Sequence, residues 1–86
     1  MARNQLQGDA ARQAERDGID ARYALLTDRE KDVFEAIVSG ESNKSTALKL
    51  GISPRTVEIY RANVMEKMRA RTLSDLVRMA MARNQA

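Results

Sequence analysis

The sequence predicts an all-α chain: a four-helix bundle containing a helix-turn-helix, with an extra N-terminal linker or helix. Three observations lead there. Apolar residues recur at three- and four-residue spacing nearly throughout, without strand-like alternation. One proline, Pro54, and four glycines are the only strong breakers. Ser and Thr stand just ahead of the apolar-periodic stretches, where helices need caps.

Each element follows in order. Residues 1–25 are expected to be a linker or an N-terminal helix, and residues 26–86 the compact domain. Asp9 to Asp17, DAARQAERD, has helix-forming composition between Gly8 and Gly18 but offers only alanines to a core, so it reads as frayed helix or linker. Tyr23, Leu25 and Leu26 are the first bulky cluster able to dock. Thr27-Asp-Arg-Glu30 is a capping box, opening a helix from about Asp28 to Ser39. Val33, Phe34, Ile37 and Val38 form its apolar stripe, and Gly40 supplies the stop. Ser42 or Asn43 caps a short helix ending at Leu50, with Ala47 and Leu50 inward. Gly51 permits a tight turn, and Ile52 is expected to plug the core. Ser53 then caps a longer helix with Pro54 at its first position, where the missing N–H costs nothing. Short helix, glycine turn and longer helix make the helix-turn-helix layout. Thr72 opens a last helix, with Leu73, Leu76, Val77 and Ala80 inward and Met79 and Met81 near its edges.

Composition excludes several function classes. The chain has 86 residues, no Cys and no His. Disulfides and the usual zinc sites are therefore ruled out, and no cofactor is expected. No nucleophile–base pair stands out, so enzyme is the weakest reading. No apolar run has membrane-spanning length, and no signal-peptide pattern opens the chain. A cytoplasmic protein without a membrane partner is expected.

Net charge is +3, and its placement matters more than its size. Residues 54–72 hold Arg55, Arg61, Lys67, Arg69 and Arg71 against Glu58 and Glu66 alone. A local basic surplus suits a polyanion, although a solvated helix would look the same. At about 100° per residue, Val57, Val64 and Met68 share one side of helix 54–69, flanked by Tyr60 and Met65. Arg55, Glu58, Ile59, Ala62 and Glu66 lie across from them. That open side has the chemistry of a major-groove reader. Ile59 and Ala62 can meet thymine methyls, Glu58 can accept from cytosine N4, and Arg55 can reach guanine or phosphate. Lys44, Ser45, Ser53, Thr56, Tyr60, Arg61 and Lys67 surround it as candidate phosphate contacts. Periodicity and caps leave two readings equally open: a DNA reader, and a bundle that binds no nucleic acid.

The residues LTDRE (26–30), Val38, Gly40, NKS (43–45), Ala47, LGISPRTVEIYRANVMEKM (50–68) and TLSDLVRMA (72–80) tip the balance. Together they resemble the LuxR/FixJ-type DNA-binding effector domain of bacterial transcription regulators, and most closely the FixJ-like response regulators. The likeness runs from about Leu26 to Ala82. It implies four helices, with 54–69 as recognition helix on double-stranded DNA. By position it puts Glu58, Ile59 and Ala62 at base-facing places. Lys44, Ser53, Thr56, Tyr60 and Lys67 fall at backbone-contact or structural places. It implies that the last helix supports dimer contacts. A homodimer on DNA is expected with Val77 and Met81 as candidate surface, the alternative being that this patch closes the monomer's own core. Contact with RNA polymerase is a further expectation. Three positions depart from the pattern. Tyr60 stands where many relatives have His, Thr46 where an apolar residue is frequent, which should thin the core slightly, and Arg69 where Gly is common. The last departure leads us to expect a recognition helix that runs on further. A receiver domain usually precedes such a module in two-component systems. An excised effector domain is expected here, a natural short regulator being the other option. Sigma-factor region 4 and a protein-interaction bundle are the competing readings.

Overall fold

The computed structural model describes residues 2–84, with side chains from residue 8 onward. Five helices follow one another: α1 (Ala2–Tyr23), α2 (Asp28–Val38), α3 (Asn43–Leu50), α4 (Pro54–Met68) and α5 (Leu73–Asn84). Among the described residues there is no strand, so the all-α expectation holds. None of these helices is long and apolar enough to cross a membrane.

Local chemistry sets the ends of the helices. Thr27 Oγ1 accepts from the Glu30 amide at 3.2 Å, and Glu30 Oε1 accepts from the Thr27 amide at 2.8 Å, completing the capping box of α2. Gly40, at φ 79°, turns the chain after α2. Ser42 rather than Asn43 caps α3, accepting from the Ser45 amide at 3.0 Å. Gly51 closes α3 at φ 69°, in the left-handed region where a side chain costs energy. Ser53 Oγ accepts from the Thr56 amide at 3.1 Å and caps α4.

Helix α4 is the centre of the bundle. It packs against α1, α2 and α3, and α5 closes over α1 and α2. Val57, Val64 and Met68 are buried on α4, as the helical spacing requires. Val33, Phe34 and Ile37 from α2 join Val64, Met68, Leu76, Met79 and Ala80 in one cluster with Leu26 and Ile19. Burying each large member contributes about 1.5–3 kcal/mol relative to leaving it in water.

Five details differ from the sequence-based expectations. The stretch of alanines at the start belongs to a continuous helix that includes Gly18, and it docks through Ile19, which is buried. Ile52 does not plug the core. It is half-buried and lies outside the central cluster; the buried residues of the two helices it joins are Thr46 and Ala47 on α3 and Val57, Val64 and Met68 on α4. On α5, Leu73 faces solvent and Met79 is buried. The inward face is turned toward α1, whose docking covers Met79 and leaves the first residue of the helix outside. Thr46 does not thin the core: it is buried and its hydroxyl donates to the Ser42 carbonyl at 2.8 Å. Finally, α4 does not run on. Arg69 adopts φ 57° and ends it, its amide bonding Glu66 O, while the Ala70 amide reaches Met65 O at 2.9 Å. These closing bonds satisfy the last carbonyls well enough for a non-glycine residue to accept the left-handed conformation.

Candidate nucleic-acid interface

The same packing that buries Val57, Val64 and Met68 turns the opposite side of α4 outward. Arg55, Glu58, Ile59 and Ala62 are all exposed, and Ile59 retains 54% of its accessible surface. Ile59 thus keeps about half of its apolar surface in water, where it can meet an apolar group. Among the described residues no ion pair joins Glu58 to Arg55 or Arg61. The Glu58 carboxylate therefore keeps both oxygens for a donor.

The surrounding candidates occupy three different settings. Lys44 and Ser45 are exposed on the first turn of α3. Ser53 is exposed and Thr56 half-buried, and their hydroxyls are hydrogen-bonded to each other at 2.9 Å. Tyr60 and Arg61 are half-buried on opposite flanks of α4, with Tyr60 packed against the core cluster. The start of α4 is less available to an anion than a bare helix end. Pro54 has no N–H, the Thr56 amide goes to Ser53 Oγ, and the Val57 amide to Ser53 O at 3.1 Å.

Lys67 sits differently from the rest. Its ammonium lies 2.7 Å from Glu30 Oε1 and 3.4 Å from the Leu25 carbonyl. The Glu30 side chain is only 4% exposed, that of Lys67 36%. Burial on its own raises the Glu30 pKa. The hydrogen bond and charge of Lys67, with the Thr27 amide and hydroxyl, outweigh it and hold the carboxyl below its ordinary range. Sequence reasoning found the capping box but missed this pairing. The only available signal was that Lys67 lies on the flank of α4, in line with Thr56 and Tyr60 at helical spacing. It also missed Arg22, whose Nη1 is 3.4 Å from the Met68 carbonyl at the end of α4.

The two dimer candidates lie on α5. Val77 is half-buried and Met81 is 62% exposed. Leu73, 51% exposed, precedes Val77 by one helical turn, so three apolar residues share one outer stripe of α5.

Comparison with known proteins places these features in context. Residues 24–80 match the family described as bacterial regulatory proteins, luxR family. The transcriptional regulatory protein FixJ of Azorhizobium caulinodans is 56% identical over 66 residues, which cover 77% of this chain and 31% of that protein. FixJ of Rhizobium meliloti is 58% identical over 64 residues, covering 74% and 31%. The response regulator protein TmoT of Ectopseudomonas mendocina is 43% identical over 60 residues, covering 70% and 27%. The crystal structure of full-length FixJ from B. japonicum superposes with a TM-score of 0.85 at 47% identity, covering 99% of this chain and 42% of that one. The chain thus spans less than a third of the length of the three regulators named first, and less than half of the crystallised FixJ.

Proposed function

Because the chain belongs to the luxR family of bacterial regulatory proteins, a family of DNA-binding, non-enzymatic transcription regulators, we propose that α4 enters the major groove and reads sequence there. The observation that carries this reading is the division of α4 into a buried side, Val57, Val64 and Met68, and an exposed side on which Ile59 and Ala62 flank an unpaired Glu58. Arg55, Glu58, Ile59 and Ala62 are the base-reading residues. Ile59 and Ala62 meet apolar edges, Glu58 accepts from an exocyclic amine, and Arg55 donates to guanine or to the backbone. Lys44, Ser45, Ser53, Thr56, Tyr60 and Arg61 fix the register on phosphates. Lys67 stands apart from them, its ammonium bonded to Glu30.

The chain divides into an N-terminal part, residues 1–25, and the DNA-binding part, residues 26–86. We place it as the effector part of a two-component response regulator working in the cytoplasm, by its likeness to FixJ and TmoT. Two copies pair on DNA through Val77 and Met81 of α5, which would set half-sites about one helical turn apart. Contact with RNA polymerase completes the scheme. Sigma-factor region 4 loses its support, since the family match runs through the 72–80 tail that the sigma reading leaves unexplained.

Selection from a random duplex pool with the purified chain tests the reading. It should return a sequence preference in paired half-sites, and affinity should fall steeply with salt. Replacing Glu58 with Ala should relax preference at one base position by about 1–3 kcal/mol while total binding changes less. Equal weakening on every sequence would show that Glu58 does not read a base.

A further inference from the structure

We infer that Lys67 is a positioning residue: with Arg22 it ties the last turn of α4 to the corner between α1 and α2, and so sets how the reading helix sits in the groove, instead of holding a phosphate. The inference rests on α4 being the DNA-reading helix.

The need for such a tie follows from what else holds that end of α4. Apolar burial is non-directional. Toward its C-terminus the inward side of α4 consists of Val64, Met65 and Met68, and beyond Val64 it relies on the two methionines, unbranched side chains that adapt to small slips and rolls of the last turn. Base reading tolerates little of this, because a recognition constellation must be held to roughly 0.5 Å. Directional contacts are therefore required, and two are present on the last turn. Lys67 Nζ is 2.7 Å from Glu30 Oε1, the same oxygen that accepts the Thr27 amide. Glu30 is buried and fixed by the capping box, so the acceptor cannot follow a moving lysine. Lys67 also reaches the Leu25 carbonyl of the α1–α2 connection. Arg22, one helix away on α1, reaches the Met68 carbonyl at 3.4 Å, where α4 has unspent acceptors and the negative end of its dipole.

The phosphate role competes poorly with this. Lys67 lies about 130° around the helix from the centre of the exposed stripe. Turning its ammonium to a phosphate would leave the buried Glu30 carboxylate without its partner, which is costly. The charge of Lys67 is already compensated within the protein.

The test measures binding by anisotropy to two duplexes of equal length, one selected on the wild-type chain from a random pool and one shuffled. It is run over a range of salt at temperatures where circular dichroism shows each variant folded. Lys67→Met should lower the ratio of selected to shuffled affinity about tenfold while the salt slope stays unchanged. Lys67→Arg, which still reaches Glu30, should recover most of that ratio. Arg22→Met should lower it about threefold with the slope again unchanged. It carries the test alone if Lys67→Met does not fold. A slope reduced by about 0.9 with both duplexes weakened alike would mean a phosphate contact and overturn the proposal. A lower melting temperature with neither ratio nor slope altered would also overturn it, since the tie would then serve stability only. If the wild-type chain itself prefers no duplex, the reading of α4 fails, and the positioning role falls with it.

Discussion

At the scale of single residues, the Glu30–Lys67 pair concentrates most of what this small domain does with polar groups in its interior. Glu30 caps α2, sits among apolar neighbours and stays ionised because Lys67 and Thr27 compensate it. Its folded pKa lies below that of the unfolded chain, about 4.3. The stability it contributes is therefore fully present above that value and is lost as pH falls through the folded pKa. Glu30→Gln should cost about 1–2 kcal/mol at pH 7, less than a fully buried pair, since Lys67 can rehydrate. Urea melts should show the gap between wild type and variant closing as pH falls below the ordinary carboxylate range. A gap that stays constant with pH would mean that the charge contributes nothing. Val64, fully buried on α4, sets the other extreme. Val64→Asp should remove about 4 kcal/mol or more, enough to unfold a domain of this size, as read by loss of the cooperative melt.

At the scale of helices, the caps were the most legible feature of the sequence. Thr27, Ser42 and Ser53 are each followed at the right spacing by the group they bond, and each boundary depends on neighbours within four residues. The exposed side of α4 was legible for the same reason, since Val57, Val64 and Met68 define it by helical spacing alone. Facing on α5 was harder to read. Whether Leu73 or Met79 turns inward depends on α1, about sixty residues away in sequence, and nothing local announces that contact. Arg69 was misread because an absent glycine suggested an absent stop, whereas the closing bonds to Met65 and Glu66 enforce one. That leaves a non-glycine residue at φ 57°, costing about 1 kcal/mol. Arg69→Gly should raise stability by about 0.5 kcal/mol after the entropy it returns to the unfolded chain, a gain of a few degrees in Tm. Gly51→Ala, at φ 69° with open space around its Cα, should cost about 1 kcal/mol by the same argument in reverse. Thermal melts of the two variants should shift in opposite directions.

At the scale of the whole molecule, α1 is joined to the rest by few and mostly exposed contacts. Ile19 is its one fully buried large side chain among the described residues, and Tyr23 stands half-buried edge-on to Phe34 with ring centres 5.2 Å apart. Around them lie Arg78–Glu15 at 2.6 Å and Arg83–Asp20 at 2.9 Å, with the Arg83 guanidinium 3.6 Å from the Tyr23 ring centre. Exposed ion pairs of this kind contribute about 1 kcal/mol or less each, so docking depends chiefly on Ile19 and Tyr23. A segment so held should open on its own, well below the free energy of global unfolding. Native-state hydrogen exchange should therefore show weaker protection for amides 8–18 than for α2 and α4. Ile19→Ala should remove about 2 kcal/mol from the protection of α1, at the low end for such truncations because the site lies at the edge of the core. Protection in α2 and α4 should change much less, since Val33, Phe34, Val64 and Met68 remain packed together without Ile19. If protection falls equally in all helices, α1 belongs to the same cooperative unit as the DNA-binding part, and the two unfold as one.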